Sequence, residues 1–128
     1  MLPARHRLRE RTDFASVIRG RGATRSGGPL IVVHVNRTDT RADAPPRVGL
    51  VVSGGVGNAV VRNRTKRRLR AIMSGFVGGI EPGTDVVLRA NAAAAVASHA
   101  DLLDAVERGL VRTRALRPVA EPAAGGRG

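Results

Sequence analysis

Apolar residues along the chain fall into three runs with the spacing of buried strands. Residues 30–35 (LIVVHV) are continuously apolar and rich in β-branched side chains. Residues 47–53 (RVGLVVS) and 84–90 (TDVVLRA) have a similar character. Such runs are typical of strands that are buried on at least one face. The sequence therefore predicts three strands, with a short additional strand near residues 22–26 as an open alternative.

Helical spacing appears in three other segments. Phe14, Val17 and Ile18 predict a short helix over residues 12–19, and the segment from Ser98 predicts a last helix that begins with a capping residue. The longest helix is predicted over residues 57–75. Its apolar positions fall within an arc of about 80° on a helical wheel; they are Val61, Thr65, Leu69, Ile72 and Phe76.

The order of these elements is helix, strand, strand, basic helix, strand, helix. A small sheet covered by helices is the economical arrangement for this order, so we expect an α+β fold. We assign residues 1–116 to one domain that starts with a basic arm over residues 1–11. The Pro/Ala/Gly-rich residues 117–128 are expected to be a disordered tail.

Composition narrows the class of protein. The 128 residues carry 22 Lys and Arg against 10 Asp and Glu, which gives a net charge of +12. A surplus of this size attracts polyanions, of which nucleic acid is the commonest. No apolar run approaches the length of about 18 residues that a membrane span requires, and there is no cysteine. We therefore expect a soluble cytoplasmic protein without a membrane partner.

The positive charge is concentrated on the predicted long helix. Between Arg62 and Arg70, six of nine residues are basic and none is acidic. Like charges this close destabilise a helix unless something neutralises them, and guanidinium groups match phosphate oxygens well. The alternative is a solvated helix face. The preceding Gly55-Val56-Gly57 lacks the remainder of a nucleotide-binding fingerprint, so we expect no small-molecule cofactor.

Residues 47–70, RVGLVVSGGVGNAVVRNRTKRRLR, resemble the signature region of the bacterial ribonuclease P protein subunit. In that family a strand ending in Ser leads into a helix that bears Arg-Asn-Arg-x-x-Lys-Arg. Here the motif is Arg62, Asn63, Arg64, Lys66 and Arg67. The segment Arg11-Thr12-Asp13-Phe14 is similar to the family's entry into its first helix. The resemblance covers residues 5–115.

The resemblance implies a fold and a function. The fold is an α/β sandwich with a small mixed sheet, like the second domain of a ribosomal small-subunit protein, and it has a left-handed βαβ crossover. The function is to assist a catalytic RNA that removes the 5′ leader of precursor tRNA. In that holoenzyme Mg²⁺ is held mainly by RNA, and the protein alone is expected to be inactive.

Candidate site residues follow from the motif and the charge. Those expected to contact the catalytic RNA are Asn58, Arg62, Asn63, Arg64, Lys66, Arg67, Arg68 and Arg70. Those expected to line a cleft for the single-stranded leader are Phe14, Ile18, Val32 and Arg89. The basic arm, expected to be flexible until it meets RNA, contributes Arg5, Arg7, Arg9 and Arg11.

Two features depart from the family pattern. Gly54 and Gly55 stand where family members usually carry lysines. The leader cleft is usually lined with aromatic residues, but this chain has two Phe and no Tyr or Trp. The leader is therefore expected to depend more on phosphate contacts than on stacking.

Groups for catalysis by the protein itself are missing from the sequence pattern. His6, His34 and His99 are scattered, and no pair has the spacing of metal ligands, so we expect neither catalytic nor metal-binding side chains. Two other classes of function remain open. One is a ribosomal or architectural RNA-binding protein without a role in cleavage, and the other is an autonomous nuclease.

Overall fold

The computed structural model of this chain describes residues 4–8, 11–20, 22–37 and 43–116. Three α-helices and four strands are formed by these residues. In chain order they are α1 (Arg11–Arg19), β1 (Thr24–Ser26), β2 (Ile31–Arg37), β3 (Arg47–Val52), α2 (Ala59–Phe76), β4 (Thr84–Ala90) and α3 (His99–Arg112). Short 3-10 turns precede α2 (Gly54–Val56) and α3 (Ala92–Val96).

The strands form one mixed sheet in the order β1-β2-β4-β3. β2 pairs antiparallel with both β1 and β4, whereas β3 pairs parallel with β4. A parallel pair requires a crossover connection, and α2 supplies it between β3 and β4. The predicted α+β class with a small mixed sheet is therefore confirmed. The left-handed sense of this crossover stays a prediction.

The sheet separates two apolar clusters because side chains alternate between its faces. On one face, the larger cluster joins Val33 of β2 and Leu88 of β4 to Leu69 of α2 and Leu110 of α3, and all four are fully buried. On the other face, Val87 packs with residues of α1 and the N-terminal segment. We call these surfaces the α2/α3 face and the α1 face.

The predicted elements agree closely with the observed ones. Strand β4 has the predicted bounds, and the short strand left open near residues 22–26 is present as β1. Thr65 is buried despite its hydroxyl, which donates to the Val61 carbonyl at 2.9 Å. Ser98 caps α3 by accepting from the Asp101 N–H at 3.1 Å, as its sequence context predicts.

The N-terminal segment differs from the expected free arm. Residues Ala4–His6 form a 3-10 turn, and Arg7 forms a parallel bridge with Val48. The Leu8 N–H donates to the Val48 carbonyl at 2.8 Å, and its side chain is buried. Residues 4–8 therefore cover part of the β3 edge, whereas the flexibility expected of the arm before it meets RNA stays a prediction. The predicted tail, residues 117–128, lies outside the described residues.

Candidate RNA interface

Helix α2 begins at a well-defined cap. The Asn58 side-chain oxygen accepts from the Val61 N–H at 3.0 Å, which satisfies one of the free amide groups at the helix start. Gly57 has φ of 152°, and a Cβ there would lie 2.9 Å from the Val61 Cγ1. Only glycine fits this turn comfortably. Asn58, predicted to contact RNA, therefore also fixes where the basic helix starts.

The cations of α2 form three rows, because residues four apart lie on the same side of a helix. The first row is partly buried, and its members are Arg62, Lys66 and Arg70. Lys66 and Arg70 lie beside the β3 edge. The second row is exposed and consists of the cation Arg67 and the neutral Asn63 one turn before it. The third row faces the Ala92–Val96 turn and consists of Arg64 and Arg68.

The third row is engaged within the protein. The Arg68 Nη2 donates to the Ala97 carbonyl at 2.7 Å, and the Arg64 Nη2 is 3.5 Å from the Ala95 carbonyl. Ala97 directly precedes the cap of α3, so Arg68 connects the basic helix to the start of the last helix. Arg68 therefore has a structural partner that its position in a basic stripe does not reveal.

None of the described carboxylates pairs with a cation of α2. Within residues 4–8, 11–20, 22–37 and 43–116, the ion pairs join Arg37 to Glu81, Arg47 to Asp85 and Arg108 to Asp104, all outside this helix. The helix itself contains no acidic residue. Its charge is thus available for a polyanion, as the sequence pattern predicts.

A cleft connects the first row to the N-terminal segment. It has a volume of about 240 Å³ and runs around the β3 edge. Its polar side chains are Arg7, Lys66 and Arg70, and its apolar wall includes Phe14 and Leu50. Cations beside an aromatic ring suit a nucleotide, which presents a phosphate and a flat base.

Phe14 reaches this position because β3 has a glycine beneath it. A Cβ added at Gly49 would lie 2.4 Å from the Phe14 Cε2 and 3.2 Å from the Leu8 Cβ. The ring is partly buried, and both it and Ile18 pack against the cluster that contains the buried Val17. Two predicted leader-cleft residues, Phe14 and Ile18, therefore lie together in one cluster.

The other two predicted cleft residues are partners across the sheet. Val32 of β2 pairs with Arg89 of β4, and both are on the α1 face by strand alternation. Val32 is partly buried, whereas Arg89 is exposed. The four residues of the predicted cleft thus belong to one face of the sheet. Arg25 and His34, which the sequence analysis did not place there, share that face.

The predicted arm residues lie in different places. Arg5 is exposed, and Arg7 lines the cleft at the β3 edge. Arg11 is the first residue of α1. Arg9 and the side chain of Arg11 lie outside the described residues.

Metal-ligating groups do not cluster in the part of the chain that the structure describes, where no three His, Asp or Glu residues come together. The His6 Nδ1 is 2.7 Å from the Pro46 carbonyl, and His99 is exposed at the start of α3. None of the described helices is both long and apolar enough to cross a membrane.

The fold and the basic helix define an RNA-binding α+β protein, and comparison with known proteins gives its family. The Ribonuclease P family model matches residues 2–114. The chain belongs to the ribonuclease P protein family. The resemblance seen in the sequence is confirmed, and with it the assignment as the protein subunit of the ribonuclease that processes tRNA 5′ ends.

Curated relatives share about half of their residues with this chain. It is 49% identical over 118 residues to the ribonuclease P protein component of Streptomyces avermitilis, covering 88% of this chain and 94% of that protein. It is 51% identical over 102 residues to that of Beutenbergia cavernae, covering 80% and 82% respectively.

A solved structure of the RNase P protein from Staphylococcus aureus shares the fold. It has a TM-score of 0.75 at 21% identity and covers 88% of this chain and 98% of its own.

Proposed function

We propose that this protein binds the catalytic RNA of ribonuclease P through α2 and the leader of precursor tRNA through its α1 face, and so promotes cleavage at the mature 5′ end. Membership of the family implies partnership with the catalytic RNA, and precursor tRNA is the substrate consistent with it. The proposed location is the cytoplasm.

One observation carries the proposal: the cations of α2 have no carboxylate partner among the described residues. Two of them, Lys66 and Arg70, line a cleft that continues to Phe14 and the α1 face. An RNA strand lying on α2 therefore has a continuous basic path around the β3 edge. Phosphates on this path supply the negative charge that neutralises the cations of the helix.

The residues of this surface do not suit Mg²⁺, which prefers carboxylate and carbonyl oxygens. The surface carries guanidinium and ammonium groups instead, so we assign Mg²⁺ of the holoenzyme to the RNA and route no step through protein ligands. What the protein contributes is binding and orientation of two RNAs.

The test is cleavage of precursor tRNA at low magnesium by the catalytic RNA, the protein, and both together. We expect little cleavage by the RNA alone, none by the protein alone, and strong cleavage by the mixture. Cleavage by the protein alone would establish an autonomous nuclease. A mixture no faster than the RNA alone would favour an architectural RNA-binding role.

A matched substrate separates the two proposed surfaces. Mature tRNA without a leader retains contacts to the catalytic RNA and lacks those to the protein's α1 face. We expect the protein to improve the affinity of the holoenzyme for precursor tRNA more than for mature tRNA. Equal improvement for both would contradict binding of the leader by the α1 face. Binding of the catalytic RNA by α2 would remain.

A further inference from the structure

Strand pairing brings three basic side chains together on the α1 face. Arg25 of β1 is directly opposite His34 of β2, and Arg89 of β4 is opposite Val32, one same-face position along from His34. Direct neighbours on one face lie about 5 Å apart and diagonal neighbours about 7–8 Å. Arg25, His34 and Arg89 are therefore neighbours, although 64 positions separate the first from the last in the numbering (89 minus 25).

Among the described residues, the charge of this group is not balanced locally. Asp85, the other diagonal neighbour of His34 on β4, is bound to Arg47 through contacts of 3.0 and 2.9 Å. Among the α1 side chains that the structure describes, only Arg19 is charged, and it is exposed and basic. The surroundings of His34 are therefore positive.

His34 is buried and incompletely bonded. Its side chain is 5% exposed, and its Nε2 has no hydrogen-bond partner among the described residues. Burial, and then the nearby charges of Arg25 and Arg89, lower the pKa of His34 below its ordinary value. The imidazole is thus neutral at neutral pH, beneath two exposed guanidinium groups.

We propose that Arg25 and Arg89 bind phosphate groups of the single-stranded leader, and that this phosphate subsite draws a proton onto His34. The inference rests on the proposed function and adds two residues, Arg25 and His34, to the leader surface. The two arginines are on strands that lie about 10 Å apart and are offset by two residues, so their Cα atoms are about 12 Å apart. Long side chains at that separation can hold one phosphate or two successive ones along a strand.

Proton uptake follows from electrostatics. A phosphate between the two guanidinium groups offsets the part of the pKa lowering of His34 that Arg25 and Arg89 cause, while the larger part, due to burial, remains. The bound state therefore takes up its proton at a higher pH than the free state. Binding then strengthens as the pH falls towards and below about 6.5, by at most about tenfold per pH unit because one proton is involved.

The direct test follows the histidine ring signals of the full chain by NMR, with and without a short single-stranded RNA oligonucleotide. We expect the titration of His34 to move to higher pH when the RNA is bound. If the RNA binds and His34 titrates as in the free protein, the phosphate subsite is overturned while the proposed function stands.

Variants test the same subsite in the holoenzyme. The readout is the leader-dependent affinity, which is the gain in affinity of the holoenzyme for precursor tRNA over mature tRNA. Arg25→Gln is expected to weaken that affinity several-fold and to lower its salt slope by about 0.7, the value for one phosphate of a single strand. Arg112→Gln, an exposed arginine on α3, is the matched control and should change neither.

His34→Gln keeps a polar side chain and removes the titration, so the leader-dependent affinity should no longer depend on pH between about 5.5 and 7.5. Unchanged pH dependence in this variant would overturn the role of His34. A wild-type holoenzyme that shows no leader-dependent affinity at any pH would instead overturn the proposed function, and with it this subsite.

Discussion

The α2 surface and the α1 face are both basic, but they are built in opposite ways. The cations of α2 come from one continuous segment, residues 62–70, on one capped helix. Those of the α1 face come from separate strands, with Arg25 and Arg89 brought together by the sheet register. The cations of α2 form a dense linear array. Those of the α1 face are few and lie among apolar side chains.

This difference indicates a division of labour. A dense array on a straight helix matches many phosphates at once, so it suits a large folded RNA and gives affinity that depends strongly on salt. The α1 face, with few charges and apolar neighbours, suits a single RNA strand that lies along it. We expect substitutions on the two surfaces to affect binding of the two RNAs separately.

The largest effect should come from α2. Replacing Arg62 and Arg67 together with Ala is expected to weaken binding to the catalytic RNA about 100-fold, at about 1.4 kcal/mol for each charge-assisted contact. The salt slope should fall by roughly 1.5. Titrations between about 50 and 200 mM salt measure both.

The control for charge alone is the double variant Arg108→Ala and Arg112→Ala, which removes the same two charges from exposed positions on α3. It should bind the catalytic RNA nearly as well as the wild type. If the two double variants lose affinity equally, net charge governs binding and α2 is not a specific surface.

The next largest effect is expected from a substitution that alters the α1 face and leaves α2 unchanged. Gly49→Ala would place a methyl group 2.4 Å from the Phe14 ring, and such overpacking costs about 1–3 kcal/mol in the free energy of unfolding. Displacement of Phe14 should reduce leader-dependent affinity and leave the binding of the catalytic RNA intact. Denaturant unfolding and the two affinities measure these outcomes.

Gly75→Ala is the matched control, because a Cβ at this position of α2 would meet nothing within 4 Å. It should leave the protein as stable as the wild type or up to about 1 kcal/mol more stable. A Gly49→Ala protein that is stable and binds leaders normally would show that Phe14 does not depend on this contact.

The two surfaces also differ in how far the sequence predicts them. A run of cations without acids needs only helical periodicity to become a surface, so α2 and its cap at Asn58 follow from local pattern. Opposite pairs such as Arg25 and His34 depend on strand register, which local pattern does not determine for a three-residue strand. The bridge between Arg7 and Val48 is equally non-local, and for that reason residues 4–8 were expected to be free.

Arg68 illustrates the limit within α2 itself. Composition makes it equivalent to Arg67, yet Arg68 donates to the Ala97 carbonyl and Arg67 is exposed. Arg68→Gln is expected to lower the free energy of unfolding by about 1 kcal/mol, with little change in the salt slope of RNA binding.

Arg67→Gln is the matched partner of that variant. It should change the free energy of unfolding by less than about 0.5 kcal/mol and lower the salt slope by about 0.7 to 0.9. Thermal unfolding and salt titration of the pair separate the two roles. An equal loss of salt slope in both variants would place Arg68 on the RNA as well.

The smallest expected effect is the pH dependence that His34 gives to the free energy of unfolding. It is small because only one proton is involved. Burial, followed by Arg25 and Arg89, lowers the pKa of His34 in the folded protein, whereas the unfolded chain takes up that proton at about pH 6.5. The unfolded state therefore binds more protons, so the free energy of unfolding should fall as the pH drops through about 6.5 and level off below the folded-state pKa. Urea unfolding of His34→Gln should lack this component, and His99→Gln should retain it. A His34→Gln protein with the same pH dependence as the wild type would show that His34 is not held neutral by its surroundings.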